Sequence, residues 1–464
     1  MQRHVLFISS VTIIAFLIGS CATAPERAPE EPEKPAEPEA EEPPEEPYES
    51  ISLAVSAGDP QAAIAAYEEA RLQDPDRPET LLLLATLNIS AGRLDEAEGV
   101  LDDILEEHPG HPDALYHKAL ISGARGDTET QEALLKDVVD QDEGHASAHA
   151  ALGELYLEEE DFDGAREAFE RGLEADDDNF VALVGLGNVH LRTEEPEEAE
   201  EVLTRAIDVE PEYPFAYVDR SRARLQAHEL QAAETDLSRA IELEPEYPWN
   251  YLDRGRVRVE IGELEEARED FSTAIEMMPE MFMGYVERAR VQDSLDDQKA
   301  AYEDYKQALE LRPDYHPGYA PFGMYAYMQK DWDTAANMFR KAFEEEPDRH
   351  EYPLLSALAL KEAGRDGEAK DYLENAISDI PRDTLYYEMA RYYINPVGDS
   401  SLLRKIEESD DTVVKTQLLF HLGALYELND QVSLAHTMYV EAEDQGGPAV
   451  IEKRLAEKKL DNDE

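Results

Sequence analysis

Proline falls on a fixed ruler in this chain. Pro75, Pro109, Pro211, Pro245, Pro279, Pro313, Pro347 and Pro381 lie 34 residues or a multiple of 34 apart, and only Glu143 and Asp177 occupy the two remaining marks. Proline lacks the N–H that continues a helix and clashes with the turn before it, so each mark reads as a helix end. A helix end repeated at one period over ten rows leaves few solutions. The chain has to stack one small helical unit on another, each burying its apolar side against its neighbours. Its 464 residues would otherwise suggest several independent domains.

Three more columns share the ruler. Eight residues before each mark stands a large side chain: Tyr67, Leu101, Leu135, Phe169, Leu203, Leu237, Phe271, Tyr305, Phe339 and Leu373. Four residues earlier the side chain is small in nine of ten rows, as at Ala97, Ala165 and Ala267; three after the large residue comes a further column, mostly alanine as at Ala206, Ala240 and Ala274 but Ile104, Val138 and Gly172 in three rows. Spacings of three and four put these columns on one helix face. Upstream, a further small column at Ala85, Ala119, Gly153, Gly187, Ser221, Gly255, Ala289, Gly323 and Ala357 marks a second helix crossing closely, with turns at Gly92, Gly126, Gly262 and Gly364. Each row is therefore a pair of antiparallel helices with a large side chain wedged between small ones.

In this order of small, large and proline positions the chain resembles the tetratricopeptide repeat family. The resemblance implies an all-α fold, a right-handed superhelical solenoid of antiparallel helix pairs with about 12 repeats. Ten rows occupy 49–381 in register, a degenerate row 382–411 and a last regular row 412–447. Residues 448–464 read as a solvating cap helix and tail, with Ile451, Leu455 and Leu460 against Glu452, Lys453, Arg454 and Lys458.

The amino-terminal end is of another kind. Residues 1–20 give a basic start with Arg3, an apolar run from Val5 to Leu17, and Ile18-Gly19-Ser20 ahead of Cys21, the only cysteine. This resembles a bacterial lipoprotein signal peptide, which implies cleavage before Cys21 and its acylation, as with palmitate. Ala22 after the cysteine implies, by the same resemblance, the outer membrane. An uncleaved membrane anchor and a plain signal peptide are the alternatives, although the run is shorter than the ~20 residues a spanning helix needs. With Cys21 lipidated no disulfide forms, and stability rests on packing. Residues 21–48 carry the lipidated cysteine and a Pro, Glu and Ala stretch that cannot bury an apolar face, a disordered tether extending ~3.1 Å per residue.

Charge narrows the partners. The formal net charge is −65, from 107 acidic and 42 basic residues, which argues against nucleic acid and anionic lipid. Acidity with few lysines also fits adaptation to a salty or alkaline habitat.

The family resemblance implies that the first helix of each pair lines a concave face where partners bind. The positions that carry over read Asn188, Arg222, Arg256 and Arg290 in successive rows, with Arg192, Phe215, Trp249, Met283, Met324, Tyr327 and Met328 on other slots of that face. Arginine grips a carboxylate through two parallel hydrogen bonds, so this strip suits an extended acidic segment of a protein partner. The alternative is that these arginines neutralise neighbouring acids. A second set, Arg220, Arg254 and Arg288, stands in a normally apolar column, and only their rows place an aspartate 16 residues on: Asp236, Asp270 and Asp304. Pairing within a row satisfies all three, which predicts three structural ion pairs between the helices of a row; recent duplication of adjacent rows would give the same co-occurrence.

Chemistry is sparse. No phosphate-cradling glycine loop, His-Glu-x-x-His or calcium loop is present. His145 and His149 have the spacing of two metal ligands on one helix face, but no third ligand accompanies them. No metal, cofactor or enzymatic activity is expected. The leading reading is a lipid-anchored scaffold of the cell envelope, facing periplasm or surface. An accessory factor holding a cell-wall enzyme, or contacting anionic glycan or peptide stems, is the alternative, and a catalytic site hidden in residues 386–411 is a third.

Overall fold

The computed structural model describes residues 47–69, 77–445 and 450–461. The signal peptide, Cys21 and the tether up to residue 46 lie outside the described residues, as does Pro75. Among the described residues the chain is all-α, with 25 α-helices, two short 3-10 turns and no strand. The described residues fall into two compact units, one ending at Glu229 and one beginning at Leu230.

In the first unit the helices are α1 (Pro47–Ser56), α2 (Pro60–Glu69), α3 (Pro78–Ser90), α4 (Leu94–Glu107), α5 (Pro112–Ala124), α6 (Thr128–Gln141), α7 (Ala146–Glu158), α8 (Phe162–Ala175), α9 (Phe180–Arg192), α10 (Pro196–Val209) and α11 (Pro214–Gln226). The second unit continues with α12 (Leu230–Leu243), α13 (Pro248–Ile261), α14 (Leu264–Met277), α15 (Phe282–Ser294), α16 (Gln298–Leu311), α17 (Tyr319–Met328), α18 (Trp332–Glu345), α19 (Glu351–Glu362) and α20 (Asp366–Ala376). The last five are α21 (Leu385–Ile394), α22 (Asp399–Glu407), α23 (Thr412–Leu428), α24 (Val432–Glu443) and α25 (Ile451–Asp461). Within each unit the helices pack as successive pairs, and first helices of consecutive pairs lie side by side.

Local chemistry sets the pair geometry. At the crossing of α13 and α14, a Cβ added to Gly255 would sit 2.6 Å from the Phe271 ring; Gly153 stands in the same relation to Phe169, also at 2.6 Å. Phe169, Phe271 and Phe339 are fully buried, and cutting such a ring back to alanine costs ~3–5 kcal/mol. The proline marks are tied in by hydrogen bonds: the hydroxyls of Tyr217, Tyr251 and Tyr319 donate to the carbonyls of Pro211, Pro245 and Pro313 at 3.0, 3.1 and 2.7 Å.

A second ruler runs through the turns. Residues 58, 92, 126, 160, 194, 228, 262, 296, 330 and 364 all have positive φ, again 34 apart. Glycine fills five of these marks, where it adopts the left-handed conformation without a Cβ clash. Glu160, Glu194, His228, Asp296 and Lys330 hold φ between +58° and +62° against that clash.

The core of the first unit is a series of small clusters between neighbouring pairs, such as Ala85, Leu101, Ile104 and Ile121. In the second unit one continuous cluster runs from Ala289 to Ala456 and takes in the C-terminal helix. That helix packs on α23 and α24 of the last pair, as a cap does, and reaches α17 as well. Glu452, Leu455 and Ala456 are buried, and the other residues from Ile451 to Leu460 are partly exposed.

Candidate functional site

Within each unit the expected binding positions are already paired with carboxylates. In the first unit Asn188 on α9 and Arg222 on α11 meet at one carboxylate, that of Asp219. Arg222 Nη1 donates to Asp219 Oδ1 at 2.6 Å, and Asn188 Nδ2 donates to Oδ2 at 3.4 Å and to the Val184 carbonyl at 3.1 Å. The second unit repeats the arrangement. Arg256 Nη2 and Arg290 Nη1 donate to the two oxygens of Glu287 at 3.1 and 3.2 Å, and Arg256 also pairs with Asp253 at 3.5 Å. The side chains of Arg222, Arg256 and Arg290 are 46%, 41% and 55% exposed. Each guanidinium has five N–H donors, so these arginines keep donors facing solvent after serving their carboxylates.

Asp219, Asp253 and Glu287 are the residues that sequence reasoning passed over. They form a column 34 residues apart, three before the arginine column and on the same helix. An arginine three residues after an acid on one helix face finds it as a neighbour.

The remaining expected positions divide. Arg192 turns toward the preceding pair, over the Phe162 ring at 5.2 Å and onto Glu160 at 3.2 Å. Phe215 leans on Tyr213, with ring centroids 5.6 Å apart. Trp249 and Met283 pack against the cluster around Phe271. Tyr327 is not on an open surface: its ring lies against Trp332 and Phe420, and its hydroxyl donates to Glu362 at 2.9 Å. Met324 is buried too. Both sit where the C-terminal helix and neighbouring pairs close over α17.

The second arginine set has a different geometry. Arg254 Nε and Nη2 grip both oxygens of Asp270 at 3.0 and 2.7 Å, and Arg288 grips Asp304 likewise at 2.7 and 2.8 Å. Donation to the Asp304 carboxylate holds the Arg288 guanidinium above the ordinary arginine range, outweighing its partial burial. Asp270 also accepts from Arg258 Nη1 at 2.8 Å. Each arginine then spends Nη1 on a hydroxyl of the preceding helix: Arg254 on Ser238 at 3.2 Å, Arg288 on Ser272 at 3.1 Å and, in the first unit, Arg220 on Thr204 at 3.2 Å. Each also lies 5.7 Å from a tyrosine ring three residues earlier, at Tyr217, Tyr251 and Tyr285. Arg220 and Asp236 belong to different units.

The histidines are engaged locally. His145 caps α7 through Nδ1, accepting from the Ala148 amide at 3.1 Å, and lies 3.4 Å from Asp113, whose carboxyl it holds below the usual range. His149 reaches the Glu143 carbonyl at 3.0 Å. Among the described residues no three His, Cys, Asp or Glu side chains converge as a metal site would require. Residues 386–411 fold as α21 and α22 beside an open cleft of about 720 Å³, where Lys405 pairs with Glu388 at 2.7 Å.

Comparison with known proteins places this architecture. Tetratricopeptide repeat models match residues 54–121, 124–179, 156–225 and 252–316. The chain belongs to the tetratricopeptide repeat family. Similar solved structures include MamA, at 28% identity over 35% of this chain and 95% of that one (TM-score 0.34). Pseudomonas aeruginosa pilF matches at 22% identity over 44% and 92% (TM-score 0.40). YrrB, described as a TPR protein with an unusual peptide-binding site, matches at 19% over 40% and 95% (TM-score 0.36). No curated protein matches the chain in sequence. As a repeat protein of this family, the chain is a protein–protein interaction scaffold.

Proposed function

We propose that this scaffold is anchored in the cell envelope, outer membrane favoured, through acylated Cys21, and that its first helices hold an extended acidic segment of a protein partner. The observation that carries the partner reading is the half-exposed pair Arg256 and Arg290 in the second unit, each oriented by a carboxylate on its own helix, with Arg222 held in the same way within the first unit. A carboxylate of the partner takes the outward guanidinium donors, while Asp219, Asp253 and Glu287 keep the arginines extended. Charge pairing of this kind selects partners more than it adds affinity, and it weakens with salt.

The test is affinity capture from membrane extract with the intact chain and with an Arg222→Gln, Arg256→Gln, Arg290→Gln variant. Glutamine is used because glutamate would set like charges beside the resident acids. The expected outcome is loss of one or more protein partners with helical content unchanged, and intact mass of the bait showing an acylated amino terminus at Cys21. Identical partner sets would overturn the arginine reading; an unmodified terminus elsewhere would remove the anchor.

A further inference from the structure

The C-terminal helix α25 lies across the first helices of the second unit. Arg454 pairs through both terminal nitrogens with Asp293 of α15, 161 residues away in sequence, and its guanidinium stands 5.8 Å from the Tyr325 ring of α17. Lys459, more than a turn further on, bridges Glu362 of α19 at 3.1 Å and Glu427 of α23 at 2.9 Å. Between these cations Leu455 and Ala456 are buried in the core cluster. One short helix thus touches the first helices of four pairs.

The surface beneath it has a defined chemistry. Asp293, Glu362 and Glu427 form an acidic rim, and Tyr325, Tyr327 and Tyr439 belong to the same buried cluster as Leu455 and Ala456, an aromatic floor. Tyr327 and Tyr439 donate their hydroxyls to Glu362 and Glu427 at 2.9 and 2.6 Å. Such a floor takes the apolar stripe of an amphipathic helix, and the rim takes basic residues that flank it.

We infer that this face of the second unit is a docking site for a basic amphipathic helix of a partner protein, and that α25 is its in-chain occupant. The inference rests on the scaffold reading and concerns a stretch of first-helix face next to the arginine column, Asp293 lying three residues after Arg290 on α15. Its ligand has the opposite charge. A tethered occupant competes at an effective concentration on the order of millimolar, so a partner helix binds only when it outmatches α25 or when α25 is loosened. The site is therefore self-masking.

The probe is a fluorescent peptide of residues 450–461, titrated into the full chain and into an Arg454→Glu, Lys459→Glu variant. Amide hydrogen exchange follows α25 in both. The expected result is binding at least tenfold tighter to the variant, whose own helix has lost protection, and at least tenfold weaker binding of a peptide carrying the same two substitutions. Failure of the variant to gain affinity despite an unprotected α25 would overturn the inference, because the face would then have no affinity for a basic helix in trans. So would full protection of α25 in the variant, since the helix would then be a fixed part of the core. A wild-type dimer that the peptide dissociates would place a second copy there in place of a different protein. None of these outcomes alters the capture result expected for Arg222, Arg256 and Arg290, so the two readings fail separately.

Discussion

At the scale of residues, the two arginine columns differ in what they leave unsatisfied when broken. Asp270 is 4% exposed and accepts three hydrogen bonds, two from Arg254 and one from Arg258. Asp270→Ala would leave two largely buried guanidiniums facing an empty place, so the expected cost is ~3–5 kcal/mol, against ~1 kcal/mol for an exposed pair. Chemical denaturation of the full chain checks this, and a loss near 1 kcal/mol would mean the pair is held no better than a surface contact. The Arg–Asp spacing was legible because the aspartates occur only in rows with the arginine. The serine and threonine partners were equally regular, at Thr204, Ser238 and Ser272, but they lie on the preceding helix and a reading confined to one row does not connect them. Asp219 and Glu287 were missed for another reason. In a chain this acidic, one more carboxylate column does not stand out until its distance from the arginines is known.

At the scale of elements, α25 carries a buried titratable pair that makes its docking sensitive to pH. Glu452 is fully buried, and burial with the nearby Glu351 charge pushes its carboxyl up to about 8. It lies 3.9 Å from Nε2 of His421 on α23, whose imidazole burial lowers to about 3. Around them stand Arg349 and Glu351 at the start of α19, Tyr352 on α19, Tyr386 and Tyr393 on α21, and Gln417 on α23. Burial keeps the Tyr393 hydroxyl protonated, 2.7 Å from His421 Nδ1. The folded chain therefore holds Glu452 protonated where the unfolded chain ionises it near 4.5. The stability Glu452 contributes is complete below that value and is lost as pH rises toward about 8. His421 works in the other sense, adding stability between about 3 and 6.5. Glu452→Gln isolates the first term. Its stability should rise steadily relative to wild type from about pH 4.5 to about pH 8 and then level off; a difference that does not change with pH would mean Glu452 reaches solvent or a cation. None of this was visible in the sequence, where Glu452 reads as part of a polar face. Helix formation at 451–461 follows from local composition, whereas its location depends on acids more than 90 residues away.

At the scale of the whole molecule, a net charge of −65 works against compactness. Raising ionic strength from about 0.01 to 0.15 M shortens the screening length from ~30 to ~8 Å. Thermal unfolding should consequently shift to higher temperature over that range. A fall instead would show that paired arginines outweigh the excess acid. The repeat itself was legible because its constraints are steric and local: a ring needs a glycine or alanine opposite it, and a helix needs an end. The turn marks at Glu160, Glu194, His228, Asp296 and Lys330 were not, since nothing in their side chains announces a left-handed backbone. The hydroxyl stitches add a rule of succession to this modular chain. Arg254 and Arg288 each bond backward to a serine and sideways to an aspartate, so a row carrying this arginine needs a hydroxyl-bearing predecessor. Rows carrying Thr204, Ser238 or Ser272 can stand before such a row, whereas the Arg288 row, with Lys306 at the corresponding place, cannot. The molecule's units therefore obey a grammar, in which which unit may follow which is written in single side chains.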